Sequence, residues 1–463
     1  MLLTKFDQKR SKRKQMENKK VKKDNYSNSK LDRKMGLGAL IGLGVGATVG
    51  SGIFSTISSV ADAAQSSLFL VIAFAVATLL QIPGSFCYAE LASAYPEDGA
   101  HYVYFREAGF KMFTFIIGWI TFLALDAPAL SVMSLAIVNY LQFFFKVDPF
   151  LLKFVAIAII FGFACMHIRS VKVGSTVQAL ITLIKIVPFV LIIGVGAFFI
   201  NPDLLLSPEP IAHASNMVPQ GFSLMPLFSA IALSFFSCDG VFAGCYVSGE
   251  IKNPKRTLPL GLVLSVLIIM LLYVGLTTTA TGLMSVDEIA SSTAPIADMA
   301  GKIPVIGIYA GPIIAVVAII VIMGTISSCM LYMPRFEYAM ARDGLFFPIF
   351  AKVHRKFKTP HRAITIFCAY AIVLVFFGDL SSLLGALTII ILLKNGLTFA
   401  TIFILRRKEG YNPTYKAPGN WVMPVISVLG TGCLLIFAIA TATPFQLLFN
   451  GGIILLGIAA YFI

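Results

Sequence analysis

Twelve stretches, each about twenty residues long and almost free of charge, recur along this 463-residue chain, and that is the length a helix needs to cross a bilayer. They lie at approximately 36–60, 68–92, 113–141, 150–168, 174–200, 222–247, 257–283, 304–333, 361–378, 381–405, 421–441 and 445–463. Every stretch is continuously apolar and none alternates with period two, which excludes a transmembrane β-barrel. Charged residues make up 13% of the chain, against about 25% in soluble domains. The expected fold class is an all-α polytopic membrane protein with twelve transmembrane helices.

Charge then sets the expected topology. Residues 1–34 hold thirteen basic and four acidic side chains and read as a basic, disordered cytoplasmic tail. No apolar core of signal-peptide length follows those charges. Much of the net +14 therefore sits in the tail. It points to topology and to anionic lipid, at about 1 kcal/mol per basic residue near the surface, rather than to nucleic acid. Alternate loops carry Arg106 and Lys111, Arg169 and Lys172, Lys252 to Arg256, Arg335 to Arg362, and Arg406 to Lys416, whereas the other set carries only Lys146, Lys153 and Lys302. By the positive-inside rule both termini are cytoplasmic, and the expected location is the plasma membrane.

Chemistry of the enzymatic kind finds no support. Cys87, Cys165, Cys238, Cys245, Cys329, Cys368 and Cys433 lie in or beside apolar spans without metal-ligand spacing, and read as small buried hydrophobes. There is no phosphate loop, no Ser/His/Asp set and no cofactor fingerprint. The reading is of a non-enzyme with no cofactor and no metal.

What stands out is polar matter inside the spans. Glu90, Asp126, Lys185, Asp239 and Lys394 each cost at least ~2.5 kcal/mol at a helix centre, which makes each a candidate functional residue. Glu90 sits at a span end, where a structural role is expected. For Asp126 and Lys394, satisfaction by an ion pair or a neighbouring carbonyl is the plainer expectation. Lys185 lies midway along a span with no acid of its own, and burial disfavours its ammonium form enough to bring proton exchange within reach. A fixed ammonium standing in for a metal cation is the alternative.

The first span contains GLGVGATVGSGIF (42–54). Gly38, Gly42, Gly46 and Gly50 recur four apart and suit close helix packing. The Gly50–Ser51–Gly52 cluster, deep in the span, suits a break in the helix, tolerated only where backbone is buried in protein or lines a cavity. In the sixth span, Ser237, Cys238, Asp239 and Gly240 interrupt the apolar run in the same way. Interrupted spans in corresponding positions of two halves point to a transporter's binding site. Half-helix N–H groups there suit an anion and free carbonyls a cation, and the two together suit a zwitterion.

Four stretches carry a family resemblance: GSGIFSTISSVA (50–61), CYAELASAYPEDGAHYVYFREAGF (87–110), DGVFAGCYVSGEIKNPKRTLP (239–259) and PRFEYAMARDGLFFPIFAKVHRKFKTPHRA (334–363). Over about residues 33–460 the chain resembles the amino acid–polyamine–organocation superfamily of permeases. That resemblance implies a LeuT-type core of five plus five inverted-repeat helices with helices 1 and 6 broken. The first repeat would span 35–200, the second 201–408, and two further helices 409–463. It also implies a substrate site of Thr48, Gly50, Ser51, Gly52, Ile53, Phe236, Ser237, Asp239 and Gly240. Ser51 and Gly52 would hold the carboxylate, and Phe236 would serve as the gate. Lys185 matches a lysine of sodium-independent members. Phe242 stands where arginine-exchanging members carry an acid, which weakens a cationic-substrate reading. The implied activity is amino acid transport by alternating access, as proton symport or as exchange, with a free amino acid and a proton as partners. A cationic amino acid or polyamine carrier, and a transporter-like sensor, are the lesser alternatives.

Overall fold

The computed structural model describes residues 35–49, 51–97, 99–169, 186–205, 224–304, 307–357 and 359–462. Among these the secondary structure is helical, and the only β pairing is an isolated parallel bridge between Met35 and Ile251. The first span is a bent pair, α1 (Leu37–Thr48) and α2 (Ser51–Ala64), whose axes differ by 45°. The next elements are α3 (Ser67–Ala94), the short α4 (His101–Ala108), and a long span built of α5 (Lys111–Ile120), a π-helical segment (Thr121–Asp126) and α6 (Ala127–Gln142). After α7 (Pro149–Arg169) and α8 (Ile186–Phe199), α9 (Met225–Cys238) runs on as a 3₁₀ segment (Asp239–Glu250). The order continues through α10 (Pro254–Leu283), α11 (Val286–Ser291), α12 (Pro295–Gly301), α13 (Gly307–Arg342), α14 (His361–Phe377), α15 (Leu380–Leu405), α16 (Val422–Ala440) and α17 (Pro444–Tyr461).

Nine spans among the described residues are long and apolar enough to cross a membrane, or ten with the bent pair, against the twelve expected. The two other expected spans correspond to the shorter apolar helices α8 and α14, and most of the first half of 174–200 lies outside the described residues. Large side chains such as Leu271, Phe377 and Leu448 are 73–88% exposed. Water would penalise so much bare apolar surface, whereas lipid accepts it. The chain is a multi-pass membrane protein.

Local sequence explains the helix ends. Asn253 adopts a left-handed φ of 46°, which asparagine tolerates, and Pro254 then opens α10 with its φ already set for a first helical turn. Thr443 and Gln446 form a reciprocal capping box at the start of α17, and Ser285 and Glu288 do so at α11. Asp379 caps α15 by accepting from the Ser382 amide at 2.9 Å.

Packing of the two interrupted spans is reciprocal. α1 lies against the 3₁₀ segment and α10, while α2 lies against α9. The Met35–Ile251 bridge and the Lys252 amide donating to the Met35 carbonyl at 2.8 Å continue that pairing beyond α1. Of the four-apart glycines of the first span, Gly38 and Gly42 make no close contact. A Cβ added at Gly38 or Gly42 would meet nothing within 4 Å, whereas one at Gly44 would lie 3.0 Å from Ser265 Oγ and 3.2 Å from the Val241 carbonyl. Close packing thus falls on Gly44 rather than on Gly38 or Gly42, because Gly44 faces α10 and the 3₁₀ segment. The cysteines also split: five are buried, but Cys165 is half-buried and Cys433 is exposed.

Candidate functional site

The break in the first span begins where Val49 leaves helical geometry, with φ −72° and ψ 116°. Thr48 turns its hydroxyl back to the Gly44 carbonyl at 2.7 Å, closing off the end of α1. In the sixth span, α9 stops at Cys238 and twelve residues continue as 3₁₀ helix, a run far beyond the usual three or four. The two interruptions touch backbone to backbone, with a glycine at each contact. A Cβ at Gly52 would lie 2.6 Å from the Ser237 carbonyl oxygen, and one at Gly240 would lie 2.9 Å from the carbonyl of Ala47 and the Cα of Thr48. Tyr273 of α10 ties the pair together. Its hydroxyl lies 2.8 Å from the Thr48 carbonyl and 3.2 Å from that of Ser237, and its single proton is shared between them.

Beside this junction is a cavity of about 70 Å³. Thr48, Gly52, Phe236, Ser237, Asp239 and Gly240 line it, and so do Asp126 and Lys394. Lys394 Nζ meets Asp239 Oδ2 at 3.1 Å, and the Asn395 amide donates to Oδ1 at 2.6 Å. Tyr88 in turn donates to Asn395 Oδ1 at 3.0 Å. Asp239 therefore faces both ways: it borders the cavity and is held by α15. Asp126 closes the π-helical segment and is buried against the cavity, without a hydrogen bond or ion pair to any described residue. Segments of π-helix often mark functional positions. Among the described residues lining the cavity, the acidic and basic ones are two aspartates and one lysine.

Tyrosines supply most of the remaining polar lining. Tyr88, Tyr246 and Tyr332 border the cavity. The Tyr246 hydroxyl lies 3.2 Å from His101 Nδ1 on α4, whose Nε2 is 3.4 Å from the Thr121 hydroxyl. Burial, and then the Lys394 ammonium, push His101 well below the ordinary histidine range, which favours its neutral ring.

The other expected site residues fall elsewhere. Ile53 is fully buried in the apolar core. Glu90 is also fully buried, and what satisfies it is a forked ion pair rather than interface water. Arg406 reaches its two oxygens at 2.8 and 2.6 Å, with Tyr411 Oη at 3.1 Å and the Ala417 amide at 2.8 Å completing the set. Gly50, Lys185 and the Ser51 side chain lie outside the described residues. Tyr88, Tyr246, Tyr273, Tyr332 and Asn395 were not singled out from sequence. Their signal was present as polar groups within apolar spans, weaker than a charge but carrying the same demand for a partner.

A bundle of membrane spans around a small polar cavity, at the point where two spans lose regular helix, is the build of a membrane carrier. The chain belongs to the amino acid permease family, whose pattern it matches over residues 35–458. Among its relatives, the branched-chain amino acid permease BcaP of Bacillus subtilis (strain 168) is 29% identical over 393 residues, covering 78% of each chain. The serine/threonine exchanger SteT of the same organism is 26% identical over 368 residues, covering 79% of this chain and 82% of its own. The b(0,+)-type amino acid transporter 1 of Homo sapiens is 24% identical over 403 residues, covering 85% and 80%. These relatives are transporters rather than enzymes.

Proposed function

We propose that this protein carries neutral amino acids across the plasma membrane by alternating access, without sodium and with proton-coupled uptake. The observation that carries this reading is the cavity at the junction of the two interrupted spans. Ser51 and Gly52 stand in the first turn of α2, at the positive end of its helix dipole, and N–H groups in that position suit the substrate's carboxylate. The substrate's ammonium meets the second lone pairs of the Thr48 and Ser237 carbonyls, beside those that Tyr273 occupies. Phe236 covers the bound molecule as the gate. With Asp239 engaged by Lys394, Asp126 is the carboxylate left to respond to substrate or proton. The Phe236 and Phe242 rings that border the cavity favour a small or mid-sized neutral side chain. The names of BcaP and SteT, one a branched-chain permease and one a serine/threonine exchanger, agree with a neutral substrate. They also keep exchange as the second reading. Both termini face the cytoplasm in this reading, with the basic tail against anionic lipid, and the repeat boundaries at 35–200 and 201–408 follow from the same five-plus-five scheme.

The test is uptake into proteoliposomes with all common amino acids as competitors. Small and mid-sized neutral amino acids are expected to compete, and competition confined to cationic ones overturns the substrate assignment. A second measurement addresses coupling. If Lys185 carries the proton, Lys185→Ala loses the pH dependence of uptake. Lowered affinity with an unchanged pH profile would make Lys185 a fixed charge in place of a metal cation.

A further inference from the structure

Glu337 lies in α13 within the 334–363 stretch, and none of the residues assigned to the site explains it. Its side chain is 1% exposed, and both carboxyl oxygens are buried without a hydrogen-bond partner among the described residues. A carboxylate taken out of water with no donor is one of the costliest groups a protein can hold, and such a site accepts the neutral acid instead. Glu90 shows the contrast within the same chain: equally buried, it has four donor contacts.

Helical spacing places Glu337 just off the cavity. Met333, Glu337 and Met340 share one face of α13. Met333 lines the cavity, and Met340 lies directly over Gly118 of α5. Glu337 is thus about 6 Å along α13 from the cavity wall, on the side toward the Arg342–Asp343 end. Among the described residues, the titratable or charged groups of neighbouring elements that face 327–343 include His101 and Tyr102 of α4, in ring contact with Phe336; Arg106 of α4, paired with Asp343 at 3.1 Å; Tyr246 of the 3₁₀ segment, in ring contact with Tyr332; Asp126 of the π-helical segment, which lines the cavity beside Met333; and His167 of α7, bonded to Ser327 at 3.0 Å. On α13 itself, Arg335 is exposed. Asp126 and Met333 line the same cavity, and Glu337 follows Met333 by one helical turn.

We infer that Glu337 is a second protonation site of the transport cycle, lying between the substrate cavity and the cytoplasmic face and coupled to Asp126. It holds a proton while α13 is packed on α5. When the cytoplasmic side opens, the carboxyl O–H bond breaks, the proton passes to cytoplasmic water, and the carboxylate is reprotonated from the cavity side in the next cycle. No group is oxidised or reduced. Asp126 and Glu337 interact as like charges, so ionisation of one favours the proton on the other. This inference rests on the proton-coupled reading above.

Glu337→Gln, which mimics the protonated acid in shape, tests it in proteoliposomes. An inward gradient of about one pH unit can sustain about a tenfold accumulation at one proton per substrate. The variant is expected to keep counterflow at equal pH and to lose that accumulation. Glu337→Asp is expected to remain coupled with a displaced pH profile, and it decides the matter if the glutamine variant does not fold. Wild-type accumulation in Glu337→Gln, or an unchanged profile in Glu337→Asp, overturns the inference while leaving proton coupling intact. A wild-type protein that shows counterflow but no response to the gradient overturns both readings, and does so before any variant is made.

Discussion

Gly52→Ala is expected to lower amino acid uptake by about fivefold to a hundredfold, the range that the 1–3 kcal/mol typical of overpacking a tight contact gives. The added Cβ would lie 2.6 Å from the Ser237 carbonyl oxygen and 2.8 Å from its Cα. Both neighbours are backbone, so no rotamer change relieves the contact, and α2 must move away from α9. That movement opens the junction bordering the cavity and displaces the Thr48 and Ser237 carbonyls that Tyr273 holds. Gly42→Ala is the control: nothing lies within 4 Å of its Cβ, and alanine there gains about 1 kcal/mol of helix propensity. Initial uptake rates for the two variants, with melting temperatures to confirm folding, settle the point. Wild-type uptake in Gly52→Ala would remove the backbone contact from the site.

Arg406→Ala is expected to destabilise the protein by about 3–5 kcal/mol, the cost of leaving a buried charge without its partner. Glu90 is fully buried, and the Arg406 side chain is 8% exposed. Without the guanidinium, Glu90 keeps only Tyr411 and the Ala417 amide as donors. The loss would also loosen the segment after α15, because Arg406 donates to the Asn420 carbonyl at 2.8 Å and lies over the Trp421 ring. Replacing both partners, as Glu90→Leu with Arg406→Leu, is expected to recover much of the stability, since a buried pair exchanged for apolar residues is often close to neutral. Thermal melting of the purified protein in detergent reads both variants. Equal melting of Arg406→Ala and wild type would show that the pair contributes nothing.

The broad architecture was legible in the chain because hydropathy is a local property. Span positions follow from runs of apolar residues, and most of the expected spans match helices within a few residues. The interruptions were legible for a related reason. Glycine and polar residues deep in a span signal irregular backbone wherever their neighbours lie. The π-helical segment ending at Asp126 was not legible, since TFLALD carries no glycine or proline to mark it.

Pairings were the part that sequence left open. Asp239 and Lys394 were each visible as intramembrane charges, yet their ion pair spans 155 positions and depends on how α15 and the 3₁₀ segment after α9 face each other. Gly44, not Gly38 or Gly42, makes the close contact because Gly44 faces α10 and the 3₁₀ segment. Nothing in the sequence around Tyr273 marks the placement of its hydroxyl between the Thr48 and Ser237 carbonyls. Glu337 lies within the 334–363 stretch, but its lack of donors among the described residues is a property of its surroundings. By itself the sequence determined that the chain crosses a membrane many times and where its backbone comes apart, because solvent preference and backbone freedom belong to each residue. Tertiary structure alone decided which buried charges are paired and which glycines are indispensable, because those depend on which faces of distant helices meet.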